Sequence, residues 1–185
     1  MNMKTFFTFF IVLFSGFNLW SETDKSEGKK AILSYALPSK LNWKQASGED
    51  LPSGMQVFDL DETQDLRLAS VQVGNEFLWE KVANADKDKI FDELIGGKKT
   101  VHKISGVKNW KAEKKLNRKS DKEIILELVG SFTEDSQKKH FIEKYYMTPY
   151  GFILMTLDWT EKSDAALVKK ARAEFENVTF KSEIK

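Results

Sequence analysis

The sequence predicts an α+β fold in which a central antiparallel sheet is flanked by helices. Three observations lead there. Several stretches alternate in side-chain character with the two-residue period of strands, short polar or glycine-containing links separate them, and two segments switch to a helical period.

Ala31–Leu37 reads as a strand halted by Pro38, which lacks the N–H that a ladder needs. Met55–Asp61 sets Val57 and Asp59 against Phe58 and Leu60. Leu66–Val73 sets Leu66, Leu68 and Ser70 against Arg67, Ala69 and Val71. Ala85–Ile95 then changes period. Ile90, Phe91, Leu94 and Ile95 make one helical stripe, Asn84 or Asp86 offers a cap, and Gly96-Gly97 is expected to end the helix. Val107–Leu116, Glu123–Phe132, Lys138–Met147 and Phe152–Trp159 follow as four strands of an antiparallel meander. A last helix is expected from a Ser163 cap to Glu176, with Leu167, Val168, Ala171 and Phe175 as its apolar stripe. Val178–Phe180 adds a short extended piece.

The first twenty-one residues stand apart. Lys4 precedes an apolar run, Thr5–Trp20, that is shorter than the roughly 20 residues of a membrane-spanning helix. A polar stretch beginning at Glu22 follows, the pattern of a secretory signal peptide cleaved near Ser21–Glu22. A retained anchor is the alternative, because Leu19 and Trp20 are poor neighbours for a cleavage site. The expected organisation is a signal peptide over 1–21, a flexible segment over 22–30 and a single domain over 31–185. The expected location is exported, periplasmic or secreted. The chain has no cysteine, which excludes disulfides, thiolate metal sites, a cysteine nucleophile and an acylated-cysteine anchor.

Catalytic and metal signals are thin. His102 lies among lysines and His140 in or beside a strand; neither belongs to an HExxH pattern, and no GxSxG elbow occurs. Gly96-Gly97-Lys98-Lys99 lacks the leading glycine of a phosphate loop. Asp59, Asp61, Thr63 and Asp65 have calcium-loop spacing. However, Gln64 replaces the required glycine and Ser70 the bidentate glutamate, so a charged turn is the expectation. Tyr145 and Tyr146, adjacent in a strand, must point to opposite faces, and Tyr150 flanks Pro149 at a turn. No enzyme activity and no cofactor are expected.

The order of elements, carried by Tyr35–Pro38 with Trp43, Gly106–Trp110, Tyr145–Gly151 and Phe175–Phe180, resembles the PsbP-like superfamily. Its members include a photosystem II extrinsic subunit, a Ran-binding nuclear-import factor and small secreted bacterial proteins. The resemblance implies an α/β/α sandwich that works by docking partners, with no family-wide catalytic site. Pro38 and Trp43 are then a strand stop and a core aromatic.

Charge is unevenly placed. Between Lys98 and Lys122, ten basic residues oppose only Glu113 and Asp121, whereas twelve acids oppose four bases across Glu49–Glu93. The two segments either neutralise each other as solvated faces or leave a basic edge for an anionic partner. If Trp110, Ala112 and Leu116 point inward, Lys111 and Lys115 share the outer face, with Arg118 and Lys119 at the following turn. Those four are the candidate partner-binding residues, for an envelope protein or an anionic membrane surface rather than nucleic acid. A carrier or sensor with an apolar pocket between sheet and helix is the alternative function.

Overall fold

The computed structural model describes residues 31–37, 40–46, 54–60, 65–73 and 79–184. The expected signal peptide, the 22–30 segment, Pro38 and residues 61–64 of the calcium-like stretch lie outside them. Nine strands and three helices are described: β1 (Ala31–Ala36), β2 (Lys44–Gln45), β3 (Met55–Asp59), β4 (Leu66–Val73), α1 (Trp79–Asn84), α2 (Lys87–Ile104), β5 (Lys108–Lys119), β6 (Ile124–Glu134), β7 (Gln137–Thr148), β8 (Gly151–Thr160), α3 (Ala165–Glu176) and β9 (Thr179–Ile184).

Seven strands form one antiparallel sheet in the order β2-β3-β4-β8-β7-β6-β5, and β1 pairs with β9 in a separate antiparallel ribbon. The meander β5–β8 is built from tight links. Asp135 and Ser136 both adopt positive φ, the requirement of a two-residue hairpin turn whose twist matches its strands. Because β4 and β5 are separated in the sheet by three strands, the connection between them crosses one sheet face, and α1 and α2 lie in that crossing.

Both faces of the sheet are packed, which explains why nearly every residue of β8 is buried. On one face Ile90, Phe91, Leu94 and Val101 of α2 meet Leu126, Leu128, Phe141, Tyr145 and Leu154. On the other, Val168, Ala171 and Phe175 of α3, with Leu33 of β1, meet Leu68, Ile142, Ile153 and Leu157. Each such buried side chain contributes roughly 1.5–3 kcal/mol of transfer free energy. The protein is thus dominated by a multi-strand antiparallel sheet, with a few helices.

Two expectations about the elements are corrected. Gly96-Gly97 does not end the helix, because the buried stripe runs on through Lys98, Val101 and His102. Tertiary packing outweighs the penalty of about 1 kcal/mol per glycine. The helix instead ends at Ser105, followed by Gly106 with φ 75°, a left-handed position that favours glycine. Its start matches one of the two expected caps, as Asp86 Oδ1 accepts from the N–H groups of Asp88 and Lys89. For α3 the cap is Asp164 rather than Ser163. The Asp164 carboxylate accepts from Leu167 N, while Ser163 Oγ donates to Asp65 O and ties the β8–α3 link to β4. Tyr145 and Tyr146 do point to opposite faces, and both are buried.

Trp43 packs against the α3-side core, and its Nε1 donates to Glu174 Oε2 at 2.9 Å; the backbone N–H of Lys40 donates to the other oxygen at 2.7 Å. A half-buried indole with its N–H satisfied is a structural residue.

Candidate functional site: a cationic cleft beside α3

Strand register places the site. Lys111 pairs with Ser131, Ser131 with His140, and His140 with Trp159, so these four form one straight row across β5, β6, β7 and β8. The row lies on the α3 side, because the next row in the same alternation contains Val129, Ile142 and Leu157 of that core. An open cleft of about 680 Å³ sits over this part of the sheet. Lys111, Lys115, His140 and Trp159 line it from the sheet, and Arg172 lines it from α3.

The aromatic part is stacked. His140 lies on Trp159 with ring centroids 5.6 Å apart, and the Arg172 guanidinium stands 5.5 Å from the centre of the Trp159 ring. Arg172 follows Ala171, the buried centre of the α3 stripe. It therefore sits at the edge of the buried face, where its stem can cover sheet while its charge reaches the cleft. Burial lowers the His140 pKa below its ordinary value, and Lys138 acts in the same direction. His140 is consequently neutral near pH 7, and the cleft's cations are Lys111, Lys115 and Arg172. Ser131 and His140 oppose each other across the strand pair. Glu161 lies 4.0 Å from His140 Nε2, beyond the reach at which a carboxylate would orient a general base. Among the described residues no group of three or more histidines and carboxylates could hold a metal.

The four sequence-predicted residues are not equivalent. Trp110 and Ala112 pack inward on the α2 side as expected. Leu116 does not: a register irregularity between Lys114 and Leu116 pairs it with Glu127 and leaves it 41% exposed. A bulge of this kind shifts the alternation by one residue. Lys111 and Lys115 both line the cleft. Lys115 is held by two carboxylates, Glu127 at 3.2 Å and Glu176 at 2.9 Å, and the Glu176 hydrogen bond raises its pKa. Arg118 lies farther along the same face, opposite Ile125, and pairs with Glu123. Lys119 belongs to the other face, opposite Ile124, where its ammonium donates to Ala85 O at 2.6 Å. Lys119 is in β5 rather than at a turn.

Trp159 and Arg172 were not singled out by sequence reasoning. Trp159 continues the alternation Ile153, Met155, Leu157 along β8, and Arg172 borders the α3 stripe, so each carried a signal of position but none of convergence.

No protein-family model matches the sequence, and no curated protein matches it. Solved structures do. The solution structure of cyanobacterial PsbP from Synechocystis sp. PCC 6803 superposes over 86% of this chain and 98% of its own, with a TM-score of 0.52 and 12% identity. The chain has the PsbP-like fold. A looser match is LpqN, described as involved in cell envelope biogenesis of Mycobacterium tuberculosis. It covers 86% of this chain and 89% of its own, with a TM-score of 0.44 and 12% identity.

Proposed function

We propose that this PsbP-like chain is an exported, non-catalytic interaction module that docks an acidic segment of an envelope protein in the cleft beside α3. The observation that carries the reading is the row Lys111–Ser131–His140–Trp159 capped by Arg172. Lys111 and Arg172 at the margin of an open cleft suit carboxylate-bearing side chains through Coulomb attraction, while the His140 and Trp159 rings offer apolar contact surface beside them. The apolar run Thr5–Trp20 supports export. Residues 31–185 are taken as one domain, and its layers as an α/β/α sandwich, with α1 and α2 on one face and α3 with the β1–β9 ribbon on the other.

The carrier alternative gains nothing from this cleft, which opens to solvent and is rimmed by Lys111, Lys115 and Arg172. An apolar ligand is better held in an enclosed apolar cavity.

The test is capture from envelope extract at low and high salt, with the wild type and the Lys111→Glu/Arg172→Glu variant. Capture that falls with salt and is lost in the variant supports the reading. Capture indifferent to both rules out the cleft as the docking site.

A further inference from the structure

The basic run of β5 and α2 divides into paired and unpaired charges. Lys98, Lys114, Lys115, Arg118 and Lys119 all have partners within the fold. The ammonium groups of Lys99, Lys103 and Lys108 have no ion pair or hydrogen bond among the described residues, and the three line one open depression of about 400 Å³ together with Trp110 and Gly106.

The local fold makes this corner. Lys99 and Lys103 are one helical turn apart on the exposed side of α2, while Val101 and His102 point into the core. The helix stops at Ser105, the chain reverses through Gly106, and Lys108 opens β5. Ile104, at the tip, is left 66% exposed, more than any other large hydrophobic side chain among the described residues. Placement of cations beside the last turn is favoured by the helix dipole, which makes a lysine cluster stable there without an acid to hold it. Across the strand pair the acids next to the corner are Glu134, which pairs with Lys139, and Asp135 in the β6–β7 turn, one and two residues beyond the Thr133 that pairs with Lys108.

We infer that the α2–β5 corner is a membrane-contact site that seats on an anionic lipid surface. Ile104 enters the headgroup boundary and Lys99, Lys103 and Lys108 meet lipid phosphates. The choice of a bilayer follows from shape and charge. An exposed isoleucine at the tip of a helix–strand corner, with three lysines on the same two elements, offers little rigid surface for a folded partner. A soft anionic interface accepts both the apolar tip and the cations around it. The site is separate from the cleft, since Trp110 and Lys111 point to opposite faces of β5. A docked molecule therefore keeps its cleft available.

The absence of cysteine provides a clean measurement. The exported protein, its N-terminus determined by mass spectrometry, is labelled with an environment-sensitive dye at Ile104→Cys or, as a control on exposed α3, at Lys169→Cys. It is then mixed with phosphatidylglycerol-containing or pure phosphatidylcholine vesicles. Expected is a blue shift at position 104 alone, with the phosphatidylglycerol vesicles alone, abolished by high salt. The Lys99→Gln/Lys103→Gln/Lys108→Gln variant lowers partitioning by on the order of 100-fold, and Ile104→Ser lowers it by about tenfold. Lys111→Glu/Arg172→Glu leaves it unchanged, which separates this site from the cleft. Equal shifts at both positions, equal binding to both vesicles, or full binding by the triple variant would overturn the inference. So would loss of the shift on adding inorganic phosphate at constant ionic strength, since that assigns the lysines to a free anion.

Discussion

The Lys98 ammonium donates to Glu143 Oε1 at 2.6 Å, with Lys98 wholly enclosed, and the Tyr145 hydroxyl donates to the second Glu143 oxygen at 2.9 Å. Burial pushes the Lys98 pKa down, and the Glu143 charge and hydrogen bond oppose that push. Removing one partner leaves an uncompensated buried group, at a cost of about 3–5 kcal/mol. Lys98→Met and Glu143→Gln should each lower the unfolding free energy measured in urea by that order. The Lys98→Met/Glu143→Leu double variant should recover part of the loss. Single variants as stable as wild type would show that water reaches the pair.

His102 supplies a pH dependence. It stacks against Trp110 at 5.3 Å and Phe132 at 5.7 Å. Burial, helped by the charge of Lys98, lowers its pKa from 6.5 to about 3. Above 6.5 the ring is neutral in both folded and unfolded chains and contributes no slope. Between 6.5 and about 3 the unfolded chain takes up a proton that the folded chain refuses, so stability falls as pH falls through that window. The full loss is at most on the order of 5 kcal/mol. His102→Phe should flatten this acid-side slope in denaturation curves taken across the window; an unchanged slope would assign the acid loss to other groups.

The carboxyl end of α3 is tied down by Lys144, whose ammonium donates to Phe175 O at 2.8 Å and Glu176 O at 2.9 Å and stands 3.6 Å from Glu127. Cations at a helix C-terminus are favoured by the dipole, and here the geometry is buried. Lys144→Met should cost about 3–5 kcal/mol and speed amide exchange in the last turn of α3 more than in α2. Uniform acceleration through both helices would mean that Lys144 supports the whole sheet rather than this helix.

The proposed export makes a direct prediction about the N-terminus. Mass spectrometry of the protein recovered outside the cytoplasm should find it starting near Glu22. An intact Met1 in the membrane fraction would replace cleavage by a retained anchor.

The strands were legible because alternation survives wherever a strand has two chemically distinct sides, as in Leu66–Val73. Failures came where tertiary packing overrode local rules. The buried positions of Lys98 and Val101 carry α2 through two glycines. The two-residue β2 and the short α1 are too brief to show a period. At the site, Lys111 was readable from position alone. The irregularity before Leu116 was not, since nothing in KAEKKL marks which residue is extra. Nor was the stacking of Arg172 on Trp159, which exists only once α3 lies across β8. The excess of lysine was visible in sequence, yet which lysines remain unpaired depends on distant acids such as Asp88, Glu127 and Glu176.

The central claim, that the cleft beside α3 receives a protein partner, is tested most directly by site-specific photocrosslinking in intact cells. A photoreactive residue is placed at Ser131, in the cleft row between Lys111 and His140, or at Lys169 on exposed α3. The account predicts one discrete crosslinked species from position 131, none from 169, and its loss when Arg172→Glu is added. Equal crosslinking from both positions, or a product from 131 that persists with Arg172→Glu, would contradict it.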